Sequence, residues 1–207
     1  MANARKIAKL LSVQYPNPKL ALNFSNPLEL LVAVILSAQC TDARVNAVTK
    51  SLFKKYKSAK TYANADPAVF EQEIRATGFY RNKAKMVIGC CRKLVTDFKG
   101  KVPAALEELT TLPGVGRKTA NMVLGNAFGK QGIAVDTHVL RVSNRLGLVQ
   151  SKDAEEVEQM LMNQVPKDKW TVFSNAMILH GRETCTARKP RCGECALYAE
   201  CEWPEKL

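Results

Sequence analysis

The chain has 207 residues, 46% of them hydrophobic, and carries 31 Lys and Arg against 19 Asp and Glu, a net charge of +12. That length allows one large domain or two compact ones with a real core, and the longest apolar stretch, residues 30–36, is far too short to span a bilayer. No apolar leader with a small-residue cleavage site opens the chain, so the expectation is a cytoplasmic protein in a reducing compartment with a polyanionic partner and no membrane.

The basic residues are dispersed, which points to a folded basic face and not to a disordered arm. In chain order, residues 4–14 set Ile7, Leu10 and Leu11 on one stripe and predict a helix. Pro27 suits the first turn of an apolar helix through Leu36. Asp42 is a candidate cap for the next helix, with Val45, Val48, Leu52 and Phe53 at helical spacing. Asp66-Pro67 starts a short helix that Thr77-Gly78 ends. Residues 82–98 repeat apolar positions at Met86, Val87, Leu94 and Val95. Pro103 opens a helix to about Thr110, and another begins near Arg117. Two more follow Asp136 and Lys152-Asp153, and the last surrounds Trp170 to His180. Sustained period-two alternation, low complexity and flexible linkers are absent. The expected class is all-α, with any two-domain division compact. Cys40, Cys90 and Cys91 fall in helical patterns and read as buried thiols.

Between two helical stretches lies Leu112-Pro113-Gly114-Val115-Gly116-Arg117-Lys118-Thr119-Ala120. Pro113 stops the first helix. Gly114 and Gly116 permit backbone angles and close approach that side chains would block, and Val115 is an apolar anchor between them. The first amides of the second helix have no internal partners, so a phosphate can accept them beside Arg117. This pattern is a helix-hairpin-helix element, which grips nucleic-acid backbone and reads no sequence. Lys118 stands in the first turn, where the dipole opposes a cation, and Arg117 is adjacent. Both effects favour the neutral amine, a nucleophile able to form a Schiff base. The residues alone leave that reading open beside simple phosphate pairing, which they slightly favour. Asp136, in Val135-Asp136-Thr137-His138, precedes a helix and is a candidate N-cap, compatible with catalysis if its second oxygen is free. His138 is a candidate phosphate or packing partner.

Cys185, Cys192, Cys195 and Cys201 are separated by six, two and five residues. Four thiolates so placed can close on one metal centre, and a single C-x-x-C knuckle with two outlying cysteines favours an iron–sulfur cluster over zinc.

Together these pieces resemble the endonuclease III family of DNA base-excision glycosylases. The resemblance covers nearly the whole chain. It is carried by Leu36-Ser37-Ala38-Gln39 with Thr41-Asp42, the hairpin through Lys118 and Thr119, Val135-Asp136-Thr137-His138-Val139, Leu179-His180-Gly181-Arg182 and the cysteine spacing. It implies two helical lobes: a six-helix barrel over 20–130 with the hairpin at about 106–127, and a second lobe from 1–19 plus 131–207 holding a [4Fe-4S] cluster in loop 185–201. It also implies a monomer on damaged duplex DNA in the cytoplasm, associated with the nucleoid in a prokaryote. Lys118 and Asp136 become the catalytic pair, in a lysine Schiff-base mechanism that removes oxidised pyrimidines and cleaves by β-elimination. Gln39 matches the residue that enters the space left by the flipped nucleotide, with Phe79 or Tyr80 as a second wedge. Gly114, Val115, Gly116, Arg117, Thr119 and His138 become DNA contacts. The interval between the first two cysteines carries Arg188, Lys189 and Arg191, placed to meet phosphate. The alternatives are an adenine glycosylase of the same superfamily, which usually lacks the hairpin lysine and adds a C-terminal domain, and a non-catalytic DNA-binding module.

Overall fold

The computed structural model describes residues 3–206 and has eleven α-helices and no strand among them. The first is α1 (Ala4–Gln14), capped by Asn3, whose side chain accepts from the Lys6 amide. Then come α2 (Pro27–Leu36), α3 (Asp42–Lys55), α4 (Ala59–Ala63), α5 (Pro67–Glu73), α6 (Tyr80–Asp97), α7 (Leu106–Thr110) and α8 (Arg117–Phe128). The chain ends with α9 (Thr137–Arg145), α10 (Ala154–Gln164) and α11 (Trp170–Glu183), followed by a loop holding two single 3-10 turns. No helix among the described residues is long and apolar enough to cross a membrane.

The contacts divide the chain into two compact units, Leu20–Gly129 and Met1–Lys19 with Lys130–Leu207. Residues 1, 2 and 207, which the sequence-based lobes include, lie outside the described residues. In the Leu20–Gly129 unit, α2 is the centre. All seven residues from Leu30 to Leu36 are buried, as expected of a helix apolar on every side. It packs against α3, α6 and α8, while α4 and α5 pack on α6. Tyr56 and Tyr62 stack at 4.7 Å and meet Phe70 edge-on, a ring cluster that anchors the short helices.

In the other unit, α11 packs on α1 and α9. Its core joins Ile7 and Leu11 to Val139 and Val142, to Val157 and Leu161, and to Phe173 and Met177. Gly181 permits the close approach of α11 to α9, since a Cβ there would stand 2.8 Å from the Cβ of His138.

Four expectations change. Thr41, extended at φ −73° and ψ 143°, holds the cap position of α3, and Asp42 is its first helical residue. There the carboxylate still complements the helix dipole. Pro103 lies in a loop. Ala105 is the extended cap, and α7 begins at Leu106 with Glu107 and Glu108 in its first turn. The five-residue α4, closed by a capping box between Ser58 and Thr61, is too short for its periodicity to be read. Cys90 and Cys91 are buried in α6, but Cys40 stands half-exposed in the turn after α2.

Candidate functional site

In the Leu20–Gly129 unit, the turn between α7 and α8 is pinned from below. Val115 is 5% exposed, and its amide donates to the Leu112 carbonyl at 3.1 Å. Gly114 has φ +76°, and a Cβ there would come within 2.9 Å of the Met86 Cβ. Both its angle and its space require glycine. Gly116 differs from the sequence-based expectation. It caps α8 with an ordinary φ of −88°, and nothing lies within 4 Å of an added Cβ. The fold therefore does not exclude a side chain at Gly116. Arg117 and Thr119 are half-buried, and Lys118 is exposed. The Lys118 side chain has no hydrogen bond or ion pair among the described residues.

Gln39 and Phe79 share a backbone peculiarity in the same unit. They are two of three non-glycine residues with positive φ among the described residues, at 51° and 48°. A left-handed residue with a side chain costs roughly 1 kcal/mol or more and persists where its surroundings over-determine it. Gln39 is exposed, and Phe79 is 67% exposed at the start of α6. Tyr80 is half-buried, with the Arg75 and Arg81 guanidinium groups each 5.9 Å from its ring.

In the other unit, Asp136 caps α9. One oxygen, Oδ1, accepts both the His138 and Val139 amides at 2.8 Å. The other carboxylate oxygen takes no part in the cap. His138 Nδ1 lies 3.2 Å from the Arg141 guanidinium. Arg141 donates to the carbonyls of Gly181, at 2.7 Å, and Cys185. One turn on, Arg145 Nη1 donates to Cys185 Sγ at 3.4 Å and to the Thr186 carbonyl at 2.8 Å. Its guanidinium lies 3.9 Å over the Trp203 ring. The structure thus brings Asp136, His138 and the cysteine loop together through two arginines that sequence reasoning missed. Their signal was spacing: 138, 141 and 145 fall on one polar face of α9 beside buried Val139 and Val142.

Cys185, Cys192, Cys195 and Cys201 line one cavity with Arg145, His180, Arg191, Trp203 and Lys206. No carboxylate is among its walls. Among the described residues, no three His, Cys, Asp or Glu side chains converge closely enough to chelate one ion. The sulfurs ring a space instead. Four soft thiolates surrounded by cations suit an anionic iron–sulfur cluster. Burial pushes the pKa of His180 down to about 4, so the imidazole is neutral, and its Nε2 lies 3.5 Å from Cys195 Sγ. Arg188 and Lys189 are exposed on the loop. Arg191 is exposed as well, yet it is engaged within the loop. It folds back to donate to the Glu183 carbonyl and pairs with Glu194 at 3.5 Å.

Residues 32–167 match the family model of the HhH-GPD superfamily base excision DNA repair proteins, and residues 185–201 match the iron–sulfur binding domain of endonuclease III. The cofactor fitted by the four cysteines is therefore a [4Fe-4S] cluster. The chain is 51% identical over 199 residues to endonuclease III of Synechocystis, covering 96% of this chain and 91% of that one. It is 43% identical over 206 residues to endonuclease III of Escherichia coli K12, covering 100% and 98%. Among solved structures it superposes on a trapped endonuclease III–DNA covalent intermediate with a TM-score of 0.93 and 45% identity, covering 98% and 97%. With that fold, hairpin and cysteine loop, the chain belongs to the endonuclease III family of HhH-GPD base-excision DNA glycosylases.

Proposed function

We propose that this base-excision glycosylase removes oxidised pyrimidines from duplex DNA through Lys118 and then cuts the strand 3′ to the abasic site. The observation that carries the reading is the Lys118 amine, exposed and without a partner among the described residues, one residue into the helix that follows the hairpin. The hairpin amides and Arg117 take the backbone phosphate. An extruded nucleotide then presents its C1′ to the amine.

The Nζ lone pair attacks C1′, the bond from C1′ to the base breaks, and the base leaves with a proton. The sugar ring opens as O4′ takes a proton, leaving an imine between Nζ and C1′. The imine draws electrons from C2′. Loss of a C2′ proton then expels the 3′ phosphate and breaks the strand. Asp136 receives the lysine proton or stabilises positive charge on the sugar. Its capping oxygen is Oδ1 alone, so the other oxygen can act without uncapping α9. When bound, the cluster supplies four iron–thiolate bonds that fix the C-terminal loop.

Gln39 fills the space the nucleotide leaves and bonds to the orphaned base. Phe79 wedges beside it. The exposure of Phe79 supports it over Tyr80, whose ring is half-buried between two arginines. Gly116 leaves open space where the backbone of the substrate approaches. His138, Arg188 and Lys189 add contacts to the strand. The protein acts as a monomer on chromosomal DNA, because one hairpin and one amine suffice for the chemistry.

Borohydride reduction during turnover traps the imine as a stable amine. Wild-type protein is expected to form a covalent adduct with an oxidised-pyrimidine duplex, and Lys118→Ala to form none. Undiminished trapping in the variant sinks the assignment. A panel of duplexes, each with one lesion beside an abasic control, tests the substrate class. Cleavage of the abasic duplex alone would reduce the activity to a lyase.

A further inference from the structure

Lys83 is the most deeply buried cation among the described residues, at 5% exposure. It lies on the apolar stripe of α6, in register with Val87, Cys90 and Leu94, where an aliphatic residue is the ordinary occupant. Burying an ammonium is costly unless it is paired and hydrogen-bonded. Its Nζ donates to the Thr77 carbonyl at 2.7 Å. Among the described residues it forms no ion pair with a carboxylate. Burial lowers its pKa from the ordinary lysine value, and the Cys40 sulfur acts in the opposite sense.

Thr77 belongs to the turn that holds the left-handed Phe79, with Gly78 between them. Thr77 is itself 2% exposed, and its hydroxyl donates back to the Ile74 carbonyl at 2.8 Å. The Lys83 amide in turn donates to the Phe79 carbonyl at 3.1 Å. One residue therefore grips the Phe79 turn from both sides, by backbone and by side chain.

We propose that Lys83 is a positioning residue for nucleotide extrusion, bracing the Thr77–Gly78–Phe79 turn so that the Phe79 side chain is held ready to insert. This rests on the reading of Phe79 as an inserting residue. The grip holds the backbone of Phe79 in its left-handed state before DNA arrives, so ordering the turn is not a cost of binding. A charged hydrogen bond lost from the inserted state corresponds to about a ten- to hundred-fold effect.

The test uses full-length protein loaded with its cluster and Lys83→Met, which keeps the length and burial of the stem and removes the donors. The substrate is a lesion duplex with 2-aminopurine beside the lesion, whose fluorescence rises when the neighbouring base unstacks. Lys83→Met is expected to lose about ten- to hundred-fold in duplex excision and to blunt the fluorescence rise. Nicking of single-stranded abasic DNA, where no base must be displaced, stays at the wild-type rate. In a Phe79→Ala background, Lys83→Met adds little further loss. Wild-type duplex excision by Lys83→Met, equal losses on single and double strands, or additive losses with Phe79→Ala would each overturn the proposal. Should Lys83→Met fail to fold, Lys83→Gln keeps a neutral donor and carries the same comparison with a smaller loss. If Phe79→Ala alone leaves excision and fluorescence unchanged, the insertion reading fails, and the proposal with it.

Discussion

Arg145 joins the helix that Asp136 begins to the first cysteine of the loop, its Nη1 donating to Cys185 Sγ at 3.4 Å. The same guanidinium holds the Thr186 and Ala187 carbonyls and stacks on Trp203. Replacing it with Met leaves three acceptors without their donor. The expected cost is on the order of 2–3 kcal/mol in stability. Chelator challenge, followed through the visible absorbance of the cluster, should bleach Arg145→Met faster than wild type. Equal rates would mean that the iron bonds alone hold the loop.

Asp136 has two separable duties. Asn caps a helix about as well as Asp, whereas Ala costs about 1 kcal/mol. Asp136→Asn should therefore melt near wild type while losing about a hundred-fold or more in excision. Asp136→Ala should lose both. If Asp136→Asn excises bases at the wild-type rate, the carboxylate is a cap and nothing more.

The two hairpin glycines should respond differently to alanine. At Gly114, φ +76° and the 2.9 Å approach to the Met86 Cβ predict a loss of roughly 1–3 kcal/mol. At Gly116 the same change meets open space, so stability should fall by no more than about 1 kcal/mol. Its effect should appear in DNA affinity, where a methyl group displaces the phosphate. Thermal melting and a binding isotherm on both variants separate the two outcomes.

The cysteines outside the loop should react in order of access. Burial pushes the pKa of Cys90 up to about 12 and raises that of Cys91 further. Their thiolates, the reactive form, are scarce at neutral pH. Half-exposed Cys40 is expected to alkylate first in native protein. Peptide mapping after a brief iodoacetamide pulse checks this, and modified Cys90 before unfolding would contradict the burial.

Arg188, Lys189 and Arg191 are all exposed, but Arg191 is also engaged with the Glu183 carbonyl and the Glu194 carboxylate. Removing the first two charges should lower the salt-dependence slope of DNA binding by about 1 each. Arg191→Ala should leave that slope unchanged and loosen the loop. A reduced slope in Arg191→Ala alone would reverse the assignment.

Much of the helical frame was legible because its signals are local. Pro27, Asp66 and Asp153 mark helix starts through their own backbone angle or side-chain acceptor, and α2, α5 and α10 begin there. The all-α class follows from helical periodicity without alternation. The four-cysteine spacing carries the cofactor, because a cluster's ligand set can be written within seventeen residues. Starts at Thr41 and Ala105 were misread by one and two residues because an extended cap looks like its neighbours in sequence.

Tertiary structure alone decided which similar residues do different work. Gly114 and Gly116 read alike, yet only Gly114 faces another helix, because Met86 stands beneath it. Arg188 and Arg191 read alike, yet only Arg191 meets the end of α11. Lys83 reads as one basic residue among 31, and burial against the turn that precedes α6 sets it apart. Periodicity and capping depend on neighbours a few positions away and survive in the sequence. Space, burial and the direction of a long side chain depend on residues brought from elsewhere, and only the folded chain supplies those.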